Sequence, residues 1–431
     1  MRCYIDGELE RWAEAGCRHP QVICGPCHVG KTHATKKLGR ERFASVAYVD
    51  LSDQDAHVVF EGADDARRIL TDIGIYTNTK ISPHETLIVL DEIQWAPKSL
   101  TALKTLADQA SDYPVVATSS YFAAALDANG GVLPEGVEII DAQPLSFLGF
   151  LDAKGEGELA RLVEALDFDC LSHFEGRLQR SLREYLFVGG MPGAVRAFIE
   201  GNGDFQAART VQEQLIRETR AKVKQLTSGR NYDRIRLAFE SIPVQIGEDN
   251  HKFIFGHITS GARAREFAPI IKWLVASRLA RSVCRVDEFS EPLADHANPQ
   301  AFKLFLPDVG LFCADMGWSA RDVLLSNKGL EANRCGLIEQ FACQQLVAAG
   351  HVPYYWSSRA TSQVSFVCVK DSRVVPIEVQ ATENQRKRSL RIVHDRYGID
   401  CLRASFSSFE RRDWLTSLPL WAIGSYFKAK A

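Results

Sequence analysis

The chain has 431 residues and a formal net charge of −3, and 46% of its residues are hydrophobic. This length predicts roughly two to four domains with real hydrophobic cores. The charge balance excludes a globally basic nucleic-acid-binding protein, and no apolar run reaches the roughly 20 residues that span a bilayer. The 11 scattered cysteines lack disulfide-type or zinc-type spacing. With no signal-peptide pattern at the start, we expect a cytoplasmic protein.

The first predicted strand leads directly into a phosphate-binding motif. Residues 22–32 read V-I-C-G-P-C-H-V-G-K-T, an apolar strand followed by GxxxxGK[ST] and a helix-forming segment. Backbone N–H groups of such a loop surround phosphate oxygens, and the helix N-terminus adds its positive end. Lys31 would reach the β- and γ-phosphates of ATP, and the Thr32 hydroxyl would bind Mg²⁺. The predicted nucleotide-binding residues are Gly25, Pro26, Cys27, His28, Val29, Gly30, Lys31, Thr32 and His33.

The same segment contains C-G-P-C, the redox motif of thioredoxins, between Cys24 and Cys27. A thioredoxin-like domain would not explain the following Gly30, Lys31 and Thr32, so catalytic redox chemistry is the minor interpretation. A disulfide between the two cysteines that deforms the loop and blocks nucleotide binding stays an open hypothesis.

The next predicted elements alternate between strands and helices. Strands are predicted at residues 45–51, 87–91, 114–118 and 137–140, and helices at residues 64–73 and 98–110. This alternation indicates a parallel α/β sheet.

Residues 87–92 form an apolar run that ends in two carboxylates, Asp91 and Glu92. Unbroken apolar runs are typical of buried parallel strands, and ligands bind at the carboxyl ends of such strands. Asp91 could therefore hold Mg²⁺, and Glu92 could polarise the water that attacks the γ-phosphate. Ser119, at the end of the next strand, is a further catalytic candidate. A core strand followed by a solvated turn is the alternative.

The second half of the chain is predicted in three parts. Residues 147–226 are helical, residues 233–286 are compatible with a winged helix or another small helical domain, and a new α/β unit begins after residue 305. In that unit, residues 331–349 form a helix, and residues 363–370 and 374–380 form a hairpin. A basic cluster then follows, which would either contact a phosphate backbone or lie on a solvated helix. Its members are Arg386, Lys387, Arg388 and Arg391.

Five short segments resemble, in order and spacing, a prokaryotic family of AAA-type P-loop ATPases. They are residues 5–6, the D-E-I-Q at residues 91–94, the Q-P-L-S-F at residues 143–147, the G-G-M-P at residues 189–192, and residues 302–311. The resemblance covers nearly the whole chain. It implies a P-loop ATPase core at residues 1–150, a helical lid at residues 151–228, a winged-helix-like domain at residues 229–298, and a degenerate PD-(D/E)XK nuclease-like domain at residues 299–431.

The chain departs from this family in its ATPase core. Cys27 stands where the family often has an arginine, and Gly136-Val137 stands where it often has a Gly-Arg pair. Because an arginine finger contributes several powers of ten in turnover, we expect slow hydrolysis unless another cation substitutes. Arg177 and Arg180 are speculative substitutes.

The nuclease-like domain departs further. Its matching positions are Glu339, Ser365 where the family commonly has aspartate, Glu378, and Gln380 where it commonly has lysine. The losses remove a metal ligand and a charge at the reacting phosphate, so the resemblance implies a domain without cleavage activity.

Three functions from different classes follow from these observations. The leading interpretation is a slow Mg²⁺-dependent ATPase that acts as a conformational switch. An ATP-regulated DNA-binding protein or nuclease is the second, and a nucleotide-stabilised scaffold without hydrolysis is the third. ATP and ADP are the expected ligands, while a DNA or protein partner and an oligomeric state stay open. No membrane association is expected.

Overall fold

The computed structural model describes residues 4–227, 229–246, 252–324, 331–358, 362–381 and 388–428. Its N-terminal part is a parallel sheet with the strand order β2-β3-β4-β1-β5. The strands are β1 (Gln21–Cys24), β2 (Ser45–Asp50), β3 (Thr86–Asp91), β4 (Val115–Ser119) and β5 (Glu138–Asp141). The helices are α1 (Tyr4–Glu14), α2 (Lys31–Arg42), α3 (Ala66–Thr77), α4 (Ser99–Gln109) and α5 (Phe122–Ala128). The predicted α/β class is confirmed.

Strand β3 shows why the sheet has helices on both faces. All six of its residues are buried. Ile88 and Leu90 pack into one hydrophobic core, which also contains residues of α3, α4 and α5, whereas Leu87 and Val89 pack into a second core with residues of α1 and α2. Successive strand side chains point to opposite faces, so an unbroken apolar run is required here.

The middle of the chain is helical, as the sequence predicts. It contains α6 (Phe147–Ala153), α7 (Gly157–Ala165), α8 (Phe168–Leu171), α9 (Glu175–Val188), α10 (Pro192–Glu200), α11 (Phe205–Leu226), α12 (Gly229–Ile246) and α13 (Ala264–Ala276). Short 3-10 turns lie at Gln54–Phe60, Ile93–Trp95, Ser172–Phe174, Phe255–His257, Leu293–His296 and Leu420–Ala422. Within the described residues, no helix combines the length and the apolarity that crossing a membrane requires.

The C-terminal part is built on a mixed sheet with the strand order β12-β13-β11-β10-β9-β8-β6-β7. The strands are β6 (Arg281–Val286), β7 (Ala297–Phe305), β8 (Tyr354–Ser357), β9 (Gln363–Lys370), β10 (Arg373–Val379), β11 (Cys401–Ser405), β12 (Glu410–Arg412) and β13 (Leu415–Pro419). The helices are α14 (Val309–Asp315), α15 (Ala320–Leu324), α16 (Glu331–Ala348), α17 (Arg388–Tyr397) and α18 (Ile423–Phe427).

The C-terminal sheet contains strands from two regions for which the sequence makes predictions. The predicted hairpin is confirmed, because β9 and β10 pair antiparallel. Residues 233–286, which the sequence leaves compatible with a winged helix, end in β6; this strand pairs antiparallel with β7 and joins the C-terminal sheet through Arg285 opposite Tyr355. The expected boundary between residues 298 and 299 falls inside β7.

Three glutamines of α16 fasten this sheet to the preceding segments. Gln340 accepts a hydrogen bond from the Leu306 N–H at 2.9 Å and donates to the Leu306 carbonyl at 2.7 Å. Gln344 and Gln345 accept from the N–H groups of Val309 and Phe147, both at 2.9 Å. Buried backbone groups outside regular structure need such partners, so α16 holds the helical part and the sheet together.

Candidate nucleotide-binding site

Backbone geometry explains both glycines of the GxxxxGK[ST] loop. A Cβ atom on Gly25 would lie 2.6 Å from the Ala142 carbonyl oxygen and 2.7 Å from the Ala142 Cβ. Gly30 has φ +108° at the start of α2, a conformation that glycine adopts without strain. The loop therefore passes close to the end of β5 and turns into α2 at Gly30.

The side chain of Lys31 folds back onto this loop. Lys31 is 4% exposed, and its Nζ donates to the carbonyls of Gly25 and Pro26, both at 3.0 Å, and to the Ser120 Oγ at 2.9 Å. These bonds hold the ammonium beside the loop, and the P-loop pattern predicts that this charge binds phosphate oxygens.

Asp91 is the last residue of β3, and its carboxylate accepts hydrogen bonds from three hydroxyl groups. Thr32 Oγ1 lies 2.9 Å from Oδ2, Tyr48 donates to Oδ2 at 2.6 Å, and Thr118 donates to Oδ1. Burial and the hydrogen bond to Asp91 together raise the pKa of Tyr48, so it remains a donor. Thr32 and Asp91, the predicted metal-binding residues, are therefore neighbours that could share a Mg²⁺ ion.

Glu92 is held by a second set of hydrogen bonds. Its backbone is left-handed at φ +58°, Ser120 Oγ donates to Oε1 at 2.6 Å, and Gln94 donates to Oε2. Ser119, the predicted catalytic serine, instead donates to the Gln94 Oε1 at 2.8 Å.

The charge of Glu92 is set by opposing effects. Burial acts to raise its pKa, but the Lys31 ammonium, the hydrogen bonds from Ser120 and Gln94, and the Lys222 ammonium together hold the pKa below its usual value. Glu92 is therefore a carboxylate at neutral pH and can accept a proton or orient a water molecule.

Helix α11 reaches the loop from the helical part. His28 Nε2 lies 2.7 Å from the Glu218 carboxylate, and Lys222 Nζ lies 3.7 Å from the Cys27 Sγ. The Cys27 thiol also contacts the Tyr121 hydroxyl at 3.3 Å. The sequence gives no local signal for these contacts, since the charges of α11 read as a solvated face.

Three further predictions can be placed. The thiols of Cys24 and Cys27 are free, and burial raises the pKa of Cys24 to about 12, which disfavours the thiolate that redox chemistry needs. His33 is exposed on α2. Arg177 lies 3.4 Å from Glu156 on the surface of the helical part, and Arg180 is exposed.

The four residues at the nuclease-like positions also come together. Ser365 Oγ donates to Glu339 Oε1 at 2.9 Å and accepts from the Val379 N–H at 3.2 Å, and Gln380 donates to Glu378 at 3.2 Å. Burial raises the pKa of Glu378 to about 7, with the Glu339 carboxylate adding to the rise.

Part of the basic cluster lies outside the described residues. Arg386 and Lys387 are not described, nor is the side chain of Arg388, although Arg388 begins α17. Arg391 forms an ion pair with Asp395 at 3.3 Å.

Sequence reasoning missed Ser120, Tyr48 and Lys222. Ser120 follows Ser119 directly and could have been considered with it. Tyr48 lies two residues before Asp50 in β2 and therefore faces the same side of the sheet. Lys222 is far away in sequence, and only packing of α11 brings it to the loop.

Family models match three parts of the chain. Residues 18–151 match an AAA domain model, residues 179–322 match a domain of unknown function (DUF8612), and residues 335–406 match another (DUF4143). No curated protein matches the chain. The first match, together with the loop, places an AAA-type P-loop ATPase domain at residues 18–151.

Among the solved structures that are similar to the chain are three archaeal proteins. A Walker-type ATPase of Pyrococcus abyssi is 13% identical with a TM-score of 0.44, covering 72% of this chain and 94% of that one. The ADP form of the ORC2 protein of Aeropyrum pernix is 12% identical with a TM-score of 0.29, covering 64% and 85%. A signal transduction ATPase with numerous domains and a tetratricopeptide repeat sensor, from Pyrococcus horikoshii, is 14% identical with a TM-score of 0.26, covering 79% and 46%.

Proposed function

We propose that this chain is a slow Mg²⁺-dependent ATPase that works as a conformational switch. The observation that carries the proposal is the linkage of Lys31 to Glu92 through Ser120, at 2.9 Å and 2.6 Å. It joins the cation that would meet the γ-phosphate to the carboxylate that would orient the attacking water.

Each residue of the site has a role in this proposal. The loop at residues 25–33 binds the phosphates of ATP, and Lys31 exchanges its carbonyl partners for phosphate oxygens. Thr32 and Asp91 hold Mg²⁺, which when bound neutralises charge on the β- and γ-phosphates. Glu92 orients water and takes up its proton, the water oxygen bonds to the γ-phosphorus as the bond from that phosphorus to the bridging oxygen breaks, and ADP leaves with the bridging oxygen. Ser119 supports this arrangement through Gln94.

Lys222 supplies the cation that the family-type arginines would otherwise supply. It lies beside Cys27 and contributes to the lowered pKa of Glu92. Lys222 lies on a helix that must close over the nucleotide. Its ammonium stabilises phosphate charge less well than a planar guanidinium, which can hold phosphate oxygens bidentately. This difference supports slow turnover.

The switch follows from the contacts of α11. Because Glu218 and Lys222 touch the loop directly, nucleotide binding at the loop changes the environment of α11. We propose that residues 151–228 act as a lid and that residues 229–298 form a winged-helix-like domain, which shares β6 and β7 with the sheet of a nuclease-like domain without activity at residues 299–431.

Steady-state hydrolysis of ATP with Mg²⁺ tests the proposal. Lys31→Ala should lose nucleotide binding, and Glu92→Gln should keep ATP binding but lose turnover. Lys104→Ala, an exposed lysine of α4, is the matched control and should behave as wild type. Unchanged turnover in Glu92→Gln would refute the role of Glu92, and stimulation of wild-type turnover by DNA would support the DNA-binding alternative.

A further inference from the structure

The C-terminal part contains a buried ion pair between Glu339, a predicted nuclease-like position, and Lys303, which the sequence did not single out. Lys303, on β7, places its Nζ 3.0 Å from Glu339 Oε2, and the two side chains are 1% and 5% exposed. The ammonium also lies 5.2 Å and 5.8 Å from the ring centres of Tyr355 and Phe366. A charge buried this deeply requires a partner, and Glu339 provides it.

The other oxygen of Glu339 is also engaged. Oε1 accepts a hydrogen bond from Ser365 at 2.9 Å. The serine is in turn oriented by the Val379 N–H. Ser365 therefore presents a neutral donor to Glu339 at the position where the family-type aspartate would present a second negative oxygen.

This arrangement does not fit a divalent metal ion. Mg²⁺ requires several oxygen ligands in near-octahedral geometry, and a lysine ammonium at hydrogen-bond distance from the carboxylate repels it. Among the side chains that the structure describes, no group of three or more His, Cys, Asp and Glu residues could hold a metal.

A lysine beside an acidic pair could instead activate a water molecule. Two observations argue against that role for Lys303. Its side chain is among the largest fully buried ones of the described chain, and aromatic rings lie beside its ammonium. Water access, which hydrolysis requires, is thus absent at this ammonium.

We propose that the Lys303 ammonium is the resident cation of this centre and takes the place of the divalent metal ion that nuclease-like domains bind. The proposal deepens the proposed function, since it rests on the nuclease-like interpretation of residues 299–431. It gives the missing cleavage activity a specific cause: the charge of Glu339 is already neutralised from within the fold.

The experiment measures Mn²⁺ binding by electron paramagnetic resonance of the full chain without nucleotide. Wild type and Glu339→Gln should bind equal amounts of Mn²⁺, because Glu339 holds no metal. Lys303→Met should gain a Mn²⁺ site, with an affinity for Mn²⁺ at least about tenfold higher than that of wild type. Changes to the neighbours of metal ligands commonly alter metal affinity by this factor. The double variant Lys303→Met/Glu339→Gln should lose the gained site. Lys370→Met removes a lysine from the same sheet and should gain nothing.

Two results would overturn the proposal. One is a wild-type Mn²⁺ site that Glu339→Gln abolishes, a comparison that needs no change at Lys303 and so remains available if Lys303→Met fails to fold. The other is a folded Lys303→Met without new Mn²⁺ binding. Neither result depends on hydrolysis of ATP, so failure here is distinguishable from failure of the ATPase assignment, which the Lys31 and Glu92 variants test.

Discussion

Replacement of Glu378 by glutamine should remove the contribution that this one buried carboxyl group makes to the pH dependence of stability. Glu378 lies on β10 with Oε1 bonded to Gln380, while its Oε2 is buried and has no hydrogen-bond partner among the described residues. Burial raises the pKa of the carboxyl group from 4.5 to about 7 in the folded chain. The folded state therefore favours the protonated form, which glutamine resembles in shape and charge.

The sign and size of the effect follow from this shift. The stability that the proton contributes is fully present below about pH 4.5 and is lost as the pH rises through about 7. At 1.36 kcal/mol per pKa unit, this shift lowers the free energy of unfolding, relative to its value at low pH, by about 1 kcal/mol at about pH 5.5 and by about 3 kcal/mol at about pH 8.5. Wild type should lose about 2 kcal/mol between these two values from this group alone.

Urea denaturation at both pH values measures the effect. Glu378→Gln should lack the loss of about 2 kcal/mol and should exceed wild type in stability at the higher pH. Glu200→Gln, an exposed glutamate of α10, is the control and should follow wild type. If the free energy of unfolding changed by the same amount between the two pH values in wild type and in Glu378→Gln, the reasoning would be refuted. The urea denaturation curves should be the same with and without Mg²⁺, because Lys303 already neutralises Glu339 and no metal ion binds there.

Two further predictions concern the nucleotide site. Gly25→Ala should lower stability by roughly 1–3 kcal/mol and abolish ATP binding, because its Cβ has no room beside Ala142; urea titration and nucleotide binding check this. Gly7→Ala, with no atom within 4 Å of the added Cβ, should keep both properties. Lys222→Met should lower turnover by about 10²-fold and raise the pKa of Glu92 in the pH–rate profile, whereas Lys224→Met, exposed on the same helix, should leave both unchanged. If Lys222→Met and Lys224→Met had the same pH–rate profile, Lys222 would have no role in the site.

The parallel sheet could be predicted because its signals are local. The apolar run of β3 is long enough to require burial on both faces, and the loop after β1 carries glycines whose positions the backbone dictates. The neighbours Asp91 and Thr32 could be paired in advance for the same reason, because strand ends and the loop lie at one edge of the sheet.

The rest of the site could not be predicted, because long-range packing determines it. Which of two adjacent serines faces Lys31 depends on how the chain turns after β4, and Ser120 rather than Ser119 takes that position. Lys303 belongs to the family-type segment at residues 302–311, but nothing in that segment indicates a buried charge, and its partner Glu339 lies 36 residues later. No local pattern distinguishes a lysine that is 1% exposed from one on the surface.

Helix α11 gives the proposed switch a physical route between the two halves of the molecule. On one side its Lys222 meets the phosphate-binding loop. On the other, Arg220 pairs with Asp315 at 3.2 Å, and Arg209 donates to the Trp318 carbonyl at 2.7 Å. Its 22 residues form one uninterrupted helix, so a displacement at Lys222 cannot be absorbed by a break before it reaches Asp315. Since α16 fastens the neighbouring segment to the C-terminal sheet, the proposed movement of α11 on nucleotide binding would be passed on to that sheet as long as the Arg220–Asp315 pair holds.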